Sequence, residues 1–390
     1  MGYEFTGTDL DFLQSEGGAG ALSAVGDLEL SARSSVRDIT EVRSRFPDHA
    51  SALIETVTVR RKARVKLSDA DRWLVTNDAV QQATPTLVAR RRATRLVGRR
   101  VHDVTCSIGG ELAVLVESAE LVVGSDLDPI RLRMAAHNVP GATVFRADAV
   151  TPTTRDTVVV ADPGRRAGGR RRHDPAALQP PLPDLFDAYR GRDLIVKCAP
   201  GLDFDAVDWP GEIEVVSLDG GVREACLWSE GLSERGIRRR AAVLRSDGAV
   251  VEFTDAESDD IPVEPPGEFL VDPDGAVVRA GLVRHYGARY GLWQLDPRIA
   301  YLTGNTVPAG VRGFRILEQS KFSEKVLRQL LERMDCGSVE ILVRGVDVDP
   351  AILRPKLKLR GSVALSVVIT RIGRSAVCFV CAPGTTDQPV

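Results

Sequence analysis

The sequence predicts an α/β fold: a parallel sheet with helices on both faces, set between a helical N-terminal region and a small C-terminal α+β unit. Three observations carry this. Between Arg100 and about Gly231, short β-branched segments alternate with stretches of helical periodicity. Residues 1 to about 95 place apolar side chains at helix-like spacing. The closing stretch runs strand, helix, strand, helix, strand, strand.

A chain of 390 residues exceeds one ordinary core. The expected division is a helical domain (1–95), a Rossmann-like sheet domain (96–235), a β-hairpin-rich connector (236–310) and a ferredoxin-like α+β domain (311–390).

In the first part, HASALIETVTVRRKARVKL (49–67) has helical spacing, and Ser68 reads as an N-cap before the acidic turn SDADRW. Thr84-Pro85 before TLVARRRATRL reads as a second start, with Thr84 capping and Pro85 in the first turn. Five strand candidates follow: RVHDVTCSI, LVVGSDL, TVFRADA, TVVVADP and DLIVKCAP. GGELAVLVESA and PIRLRMAAHNV supply helices between the first three. EIEVVSL and EACLWSE read as a closing antiparallel pair. Asp247-Gly248 and Asp274-Gly275, each between apolar runs, read as hairpin turns. In the last part GFRILEQ, SVEILVRG, SVALSVVITR and SAVCFVCAP are strands. SEKVLRQLLERM, opened by Ser323, and DPAILRPKL are helices.

Composition narrows the class. No apolar run approaches the roughly 20 residues that cross a bilayer. The start MGYEFTGTDLDFLQSEGG lacks the basic stretch and apolar core of a secretory signal, and its acids argue against lipidation at Gly2. A soluble, cytoplasmic protein is expected. Six cysteines in so long a chain do not make a disulfide framework. Cys378 and Cys381 form a C-x-x-C inside an apolar run, so buried strand thiols are expected rather than a metal site. The formal net charge is −3, yet basic residues cluster at 60–62, at 90–92 and on to Arg100, at 165–172 and at 238–240. Such patches suit a polyanionic partner, although solvated helix faces carry arginine freely. His102, His137 and His173 are isolated, and the four tryptophans are scattered and read as core.

Four acids mark the strand ends. The first strand leads into Asp103-Val104-Thr105-Cys106-Ser107-Ile108-Gly109-Gly110. Small residues at Thr105, Ser107, Gly109 and Gly110 let a cofactor approach the backbone. The phosphate-cradling G-x-G-x-x-G is absent, which favours a nucleoside cofactor without phosphates. About 20 residues on, Asp126 stands where an acid accepts from ribose hydroxyls, with Asp128 as the alternative. Asp148 ends the third strand, placed for an adenine amino group, and Asp162 ends the fourth, over the reaction centre. One acid at a strand end is weak evidence. Four in succession are not.

The region from Asp103 to Pro200 resembles class I S-adenosylmethionine-dependent methyltransferases. DVTCSIGG resembles their first motif, SDLDP the ribose motif, RADA the adenine motif and ADPGRR the catalytic motif. The resemblance is nearest to a bacterial branch with a C-terminal THUMP-like domain, whose DP-x-RR signature stands here as Asp162-Pro163-Gly164-Arg165-Arg166, and whose last domain starts like GFRILEQSKFSEKVLRQLL. NDAVQQATPTLVARRRA (77–93), with Thr84, resembles the segment covering the cofactor's methionine end. The resemblance implies S-adenosyl-L-methionine as cofactor, no metal, and RNA (tRNA or rRNA) as partner. Amino-methylating relatives carry a second proline and an aromatic ring where this chain has Gly164 and Arg165, so Arg165 and Arg166 are expected to clamp phosphate instead. Cys198 stands near the place of the nucleophile of RNA uracil-C5 methyltransferases, with Lys197 placed to lower its pKa; a structural thiol is the alternative. A small-molecule methyltransferase and a non-catalytic cofactor- or RNA-binding protein are the competing functions.

Overall fold

The computed structural model describes residues 3–165, 178–204 and 207–384, with Arg165 by its backbone alone. The chain gathers into two compact units. The first comprises Met1–Leu218, Arg223–Arg235 and Leu244–Ala249; the second comprises Asp219–Val222, Gly236–Val243 and Val250–Val390.

The first unit opens with α1 (Gly7–Leu13), α2 (Glu16–Gly26), α3 (Ser35–Arg45), α4 (Ala50–Ala63), α5 (Asn77–Gln82) and α6 (Thr86–Thr94). Capping sets several starts: Thr6 and Asp9 form a reciprocal box at α1, and the Ser15 and Thr76 side chains accept from backbone N–H groups of α2 and α5. Two expected starts differ. Ser68 lies in turns, its own N–H bonded to Thr86 Oγ1 (3.1 Å). Pro85, not Thr84, occupies the N-cap position of α6, and the Thr84 hydroxyl turns to Glu224.

Behind the helices runs a sheet. Its strands are β1 (Arg100–Asp103), β2 (Leu121–Asp126), β3 (Thr143–Arg146), β4 (Val158–Ala161), the small pair β5 (Gly164–Arg165) and β6 (Leu178–Gln179), β7 (Leu194–Cys198), β8 (Glu212–Leu218) and β9 (Gly221–Trp228). In space the order is β3-β2-β1-β4-β7-β9-β8, while β5 and β6 pair separately. The strands β3, β2, β1, β4 and β7 are parallel, and β9 runs antiparallel to β7. Helices α7 (Leu112–Leu115), α8 (Pro129–Asn138) and α9 (Leu182–Ala188) lie between strands in the chain. Gly124 in β2 is closely packed: a Cβ there would meet Leu112 Cδ1 at 2.7 Å and Cys106 at 3.0 Å, so the Leu112 side chain would have to shift.

The N-terminal helices do not close a core of their own. Leu10, Leu53, Val57, Trp73 and Leu74 share one apolar cluster with Ile108 and with Met134 of α8. The Asn138 side chain bonds Leu74 N (2.7 Å), Leu74 O and Ile108 O (both 2.9 Å), sewing the helical region to the sheet. That shared burial makes the helical region and the sheet one packing unit at this face.

β10 (Arg239–Leu244) and β11 (Val250–Thr254) flank Asp247-Gly248, and Gly248 takes the left-handed backbone (φ +93°) that the turn needs. The second expected hairpin is not one. The Asp274 side chain accepts from Ala276 N (2.8 Å) and starts α10 (Gly275–Arg279), followed by α11 (Val283–Tyr290). An Asx cap outcompeted the β-turn.

Next come β12 (Phe269–Val271), β13 (Trp293–Gln294), β14 (Leu302–Gly304), β15 (Gly313–Lys321), α12 (Glu324–Arg333), β16 (Cys336–Arg344), α13 (Pro350–Lys356), β17 (Val363–Ile372) and β18 (Ser375–Cys381). They form one sheet, β13-β14-β12-β15-β18-β17-β16, so connector strands extend the C-terminal sheet. Leu327, Leu330 and Leu331 of α12 and Leu353 of α13 pack on one face with Val339, Val367 and Cys378. Phe379, Val368 and Phe314 pack on the other. Cys378 and Cys381 are buried strand thiols, each pushed up to about 12 by burial. Trp73 and Trp228 are buried core, whereas Trp209 and Trp293 are half-buried.

Candidate active site

The order β3-β2-β1-β4 places the ends of four adjacent parallel strands side by side, with β1 central, where chain direction from strand to strand reverses. Crevices in such sheets open there. Asp103 and Asp126 close β1 and β2, while Asp148 and Asp162 follow the last residues of β3 and β4.

The loop after β1 ties three of these acids together. Asp103 Oδ1 accepts from Thr105 N (3.0 Å) and Thr105 Oγ1 (3.3 Å), and the same hydroxyl accepts from Asp162 N at 2.7 Å. Ser107 N donates to Asp126 Oδ2 (3.0 Å) and Asp128 N to Asp126 Oδ1 (2.9 Å), so the β2 carboxylate is fixed by backbone. Ser107 and Gly109 both have positive φ (49° and 90°), which curls the loop tightly. A Cβ on Gly110 would meet nothing within 4 Å, so open space lies over the loop there. Asp128 is spoken for: its side chain accepts from Ile130 N and Arg131 N as the cap of α8. Asp148 is exposed, and its side chain accepts a local bond from Val150 N (3.1 Å), with no hydrogen bond to the other three acids among the described residues. Pro163 is buried beside Asp162. Arg166 lies outside the described residues, as does His173.

Beneath the strand ends lies an ion cluster that motif reading missed. Arg92 of α6 is buried and grips Glu111 through two bonds of 2.7 Å; it also bonds Glu224 of β9. Lys197 of β7 bonds Asp162 Oδ2 at 2.6 Å and lies 3.9 Å from Glu111 Oε2. Thr84 Oγ1 donates to Glu224 Oε2 (3.0 Å). Burial alone would pull the Arg92 and Lys197 pKa values down, but the neighbouring carboxylates outweigh it and hold both above their ordinary values. Glu224 is correspondingly held below the usual carboxylate range by Arg92 and then Lys197, against burial. Asp103 is different: burial and then the Glu111 charge push it up to about 7. The sequence held a signal for this cluster, because Lys197 and Glu224 interrupt apolar strands (LIVKC, EACLW) and a buried charge demands a partner.

Other expectations change. Lys197 faces Asp162, and burial followed by the Asp162 charge raises the Cys198 thiol well above its ordinary value. Burial and the raised thiol pKa of Cys198 favour the structural thiol over an activated nucleophile. The basic run of α6 turns inward: Arg91 pairs with Glu214 (3.0 Å), Arg95 bonds Glu212 (2.8 Å) and lies 3.7 Å over the Trp228 ring. Arg61 donates to the carbonyls of Gly26, Leu28 and Glu29, and Arg60 to that of Trp73. These arginines hold the fold together. His102 is buried between Thr154 Oγ1 (2.9 Å) and Ser125 Oγ (3.0 Å), and burial, with Arg192, pushes it down to about 4.

Sheet order and strand-end acids define the class, a Rossmann-like methyltransferase. The chain belongs to the S-adenosylmethionine-dependent methyltransferases: it is 56% identical over 359 residues to uncharacterized members from Mycobacterium tuberculosis strains H37Rv and CDC 1551, covering 88% of this chain and 99% of each relative. Residues 311–383 match a family model described as THUMP domain-like, and residues 7–63 match a domain of unknown function (DUF8688). The crystal structure of a candidate methyltransferase from Porphyromonas gingivalis W83 shares the fold, with a TM-score of 0.75 at 18% identity over 97% of this chain and 99% of that one. S-adenosylmethionine is therefore the cofactor, and the curled loop with its open space at Gly110 and its fixed Asp126 carboxylate fits a nucleoside carrying an amino acid. No helix is long and apolar enough to cross a membrane, and no metal-binding cluster occurs among the described residues.

Proposed function

We propose that this enzyme methylates RNA, a tRNA or rRNA, in the cytoplasm. The observation that carries the RNA reading is the THUMP domain-like match over residues 311–383, on a chain whose catalytic half is a methyltransferase.

In this reading Asp126 accepts from the ribose hydroxyls and Asp148 from the adenine amino group. Thr105, Ser107, Gly109 and Gly110 lie against the nucleoside, and Asp103 with Thr84 faces the methionine end. The bound cofactor supplies an activated methyl group on sulfonium. The protein supplies proximity and alignment, worth roughly 7 to 11 kcal/mol of barrier at most. Asp162, held by Lys197 and by its own N–H on Thr105, orients the acceptor with Pro163 shaping the wall, while Arg165 and Arg166 hold phosphate. The C-terminal domain grips structured RNA.

The test is transfer of labelled methyl groups to total RNA from a strain lacking the protein. RNA that accepts label from wild type and not from Asp162→Ala supports the reading; a protein that binds cofactor but labels no RNA, with no salt-dependent RNA affinity, points to a small-molecule acceptor. Asp126→Ala should abolish the heat of S-adenosylmethionine binding in titration calorimetry.

A further inference from the structure

Asp103 is a buried carboxyl without a counter-ion of its own. It is 4% exposed, and its Oδ1 takes both Thr105 bonds. Its Oδ2 accepts nothing from the described residues, yet is not sealed from solvent. Charged groups surround it. Glu111 lies on the loop that follows β1, Asp162 after β4, and Lys197 on β7, with Arg92 of α6 and Glu224 of β9 behind them. Asp126 stands across the loop through Ser107, and the Cys106 thiol is held neutral by burial, then by Asp103 and Asp126. Four carboxyls, Asp103, Glu111, Asp162 and Glu224, thus share two cations. Arg92 is committed to Glu111 and Glu224, and Lys197 to Asp162. A buried carboxylate left over in such a cluster needs either a proton or a cationic ligand.

We propose that Asp103 exchanges a proton for the α-ammonium group of S-adenosylmethionine: its carboxyl is protonated in the free protein, releases that proton to solvent as the cofactor docks, and accepts from the ammonium N–H as a carboxylate. This rests on the reading of Asp103 as the methionine-end acid and adds a proton to the binding equilibrium. One positive charge replaces another in the cluster, so the desolvated site never carries the extra negative charge alone. The shift of Asp103 up to about 7, from burial and Glu111, places the exchange near neutrality. Cofactor affinity then rises with pH up to that point, because less protonated carboxyl has to be emptied.

Calorimetric titration of the full chain with S-adenosylmethionine in phosphate and in Tris, at matched pH, counts the protons. The expected release is about nine-tenths of a proton at pH 6 and about half at pH 7, following a carboxyl that titrates at about 7. 5′-Methylthioadenosine, which lacks the α-ammonium, should release none. Asp103→Asn, wherever it still binds, should release none with either ligand. Binding with equal heats in the two buffers overturns the exchange and leaves the cofactor reading standing, as does an equal release with 5′-methylthioadenosine. No heat in any buffer removes the cofactor reading itself. Should Asp103→Asn fail to fold or bind, the wild-type comparison still decides.

Discussion

Lys197 Nζ and Asp162 Oδ2, 2.6 Å apart, join the solvent-facing end of β4 to an ion cluster sealed under the sheet edge. Lys197 has 9% of its side chain exposed, whereas Asp162 has 45%. One partner is therefore anchored and the other faces the acceptor side. Lys197→Met frees the Asp162 carboxylate to swing, and also deprives Glu111 and Glu224 of a nearby cation. The expected result is near-normal affinity for S-adenosylmethionine with turnover reduced about 100-fold, the scale seen when one preorganised polar contact is lost. Calorimetry alongside a methyl-transfer assay checks this; undiminished turnover removes Lys197 from the acceptor machinery.

Arg92 carries a separate burden. Its guanidinium has 2% exposure and serves two buried carboxylates, Glu111 and Glu224. Arg92→Leu leaves both without their main partner, and breaking a buried pair from one side costs about 3–5 kcal/mol. Arg92→Lys cannot reproduce the two-pronged grip and should recover little. Urea unfolding monitored by circular dichroism measures the loss. A variant within 1 kcal/mol of wild type would mean that the cluster is held by its other members.

Cys198 should prove dispensable for chemistry. Its thiol is buried and pushed up by burial and by Asp162, so it supplies no thiolate near neutrality. Cys198→Ala is expected to keep turnover within about twofold and to cost about 1 kcal/mol of stability from lost packing. Turnover that collapses, with cofactor binding intact, would restore the covalent mechanism.

The sheet was legible because each strand is a short β-branched run closed by an acid, and all five segments from Arg100 to Pro200 appear as strands. The loop from Asp103 to Gly110 and the Asp126 carboxylate were legible for the same reason: small residues and strand-end acids have few other uses there. The partners of those acids were not. Glu111, Glu224 and Arg92 lie apart in sequence, and only the fold brings the α6 guanidinium to the start of α7 and to β9 at once. Local pattern also misjudged competition between neighbours. Asp274 could make a turn or cap a helix, and the bond to Ala276 N decided for the helix. Arg91, Arg92 and Arg95 of the α6 run turn inward because Glu111, Glu212, Glu214 and Glu224 offered buried partners that no charge count along the chain reveals.

Asp103 also makes stability depend on pH. A carboxyl titrating at about 7 in the folded chain, against about 4 in the unfolded one, keeps its proton on folding where the unfolded chain has released it. Between those two values the folded state binds more protons, so its stability falls as pH rises, and above about 7 the full penalty of the buried charge is present. Asp103→Asn removes the ionisable group while keeping an acceptor for the Thr105 bonds. The variant should match wild type near pH 4 and exceed it by about 4 kcal/mol at pH 8, an order-of-magnitude figure from the difference between the two titration points. Urea midpoints at pH 4, 6 and 8 trace the divergence. A difference that stays constant across the three would mean that Asp103 is ionised throughout, and the gain at pH 8 would then have no source in the buried carboxyl.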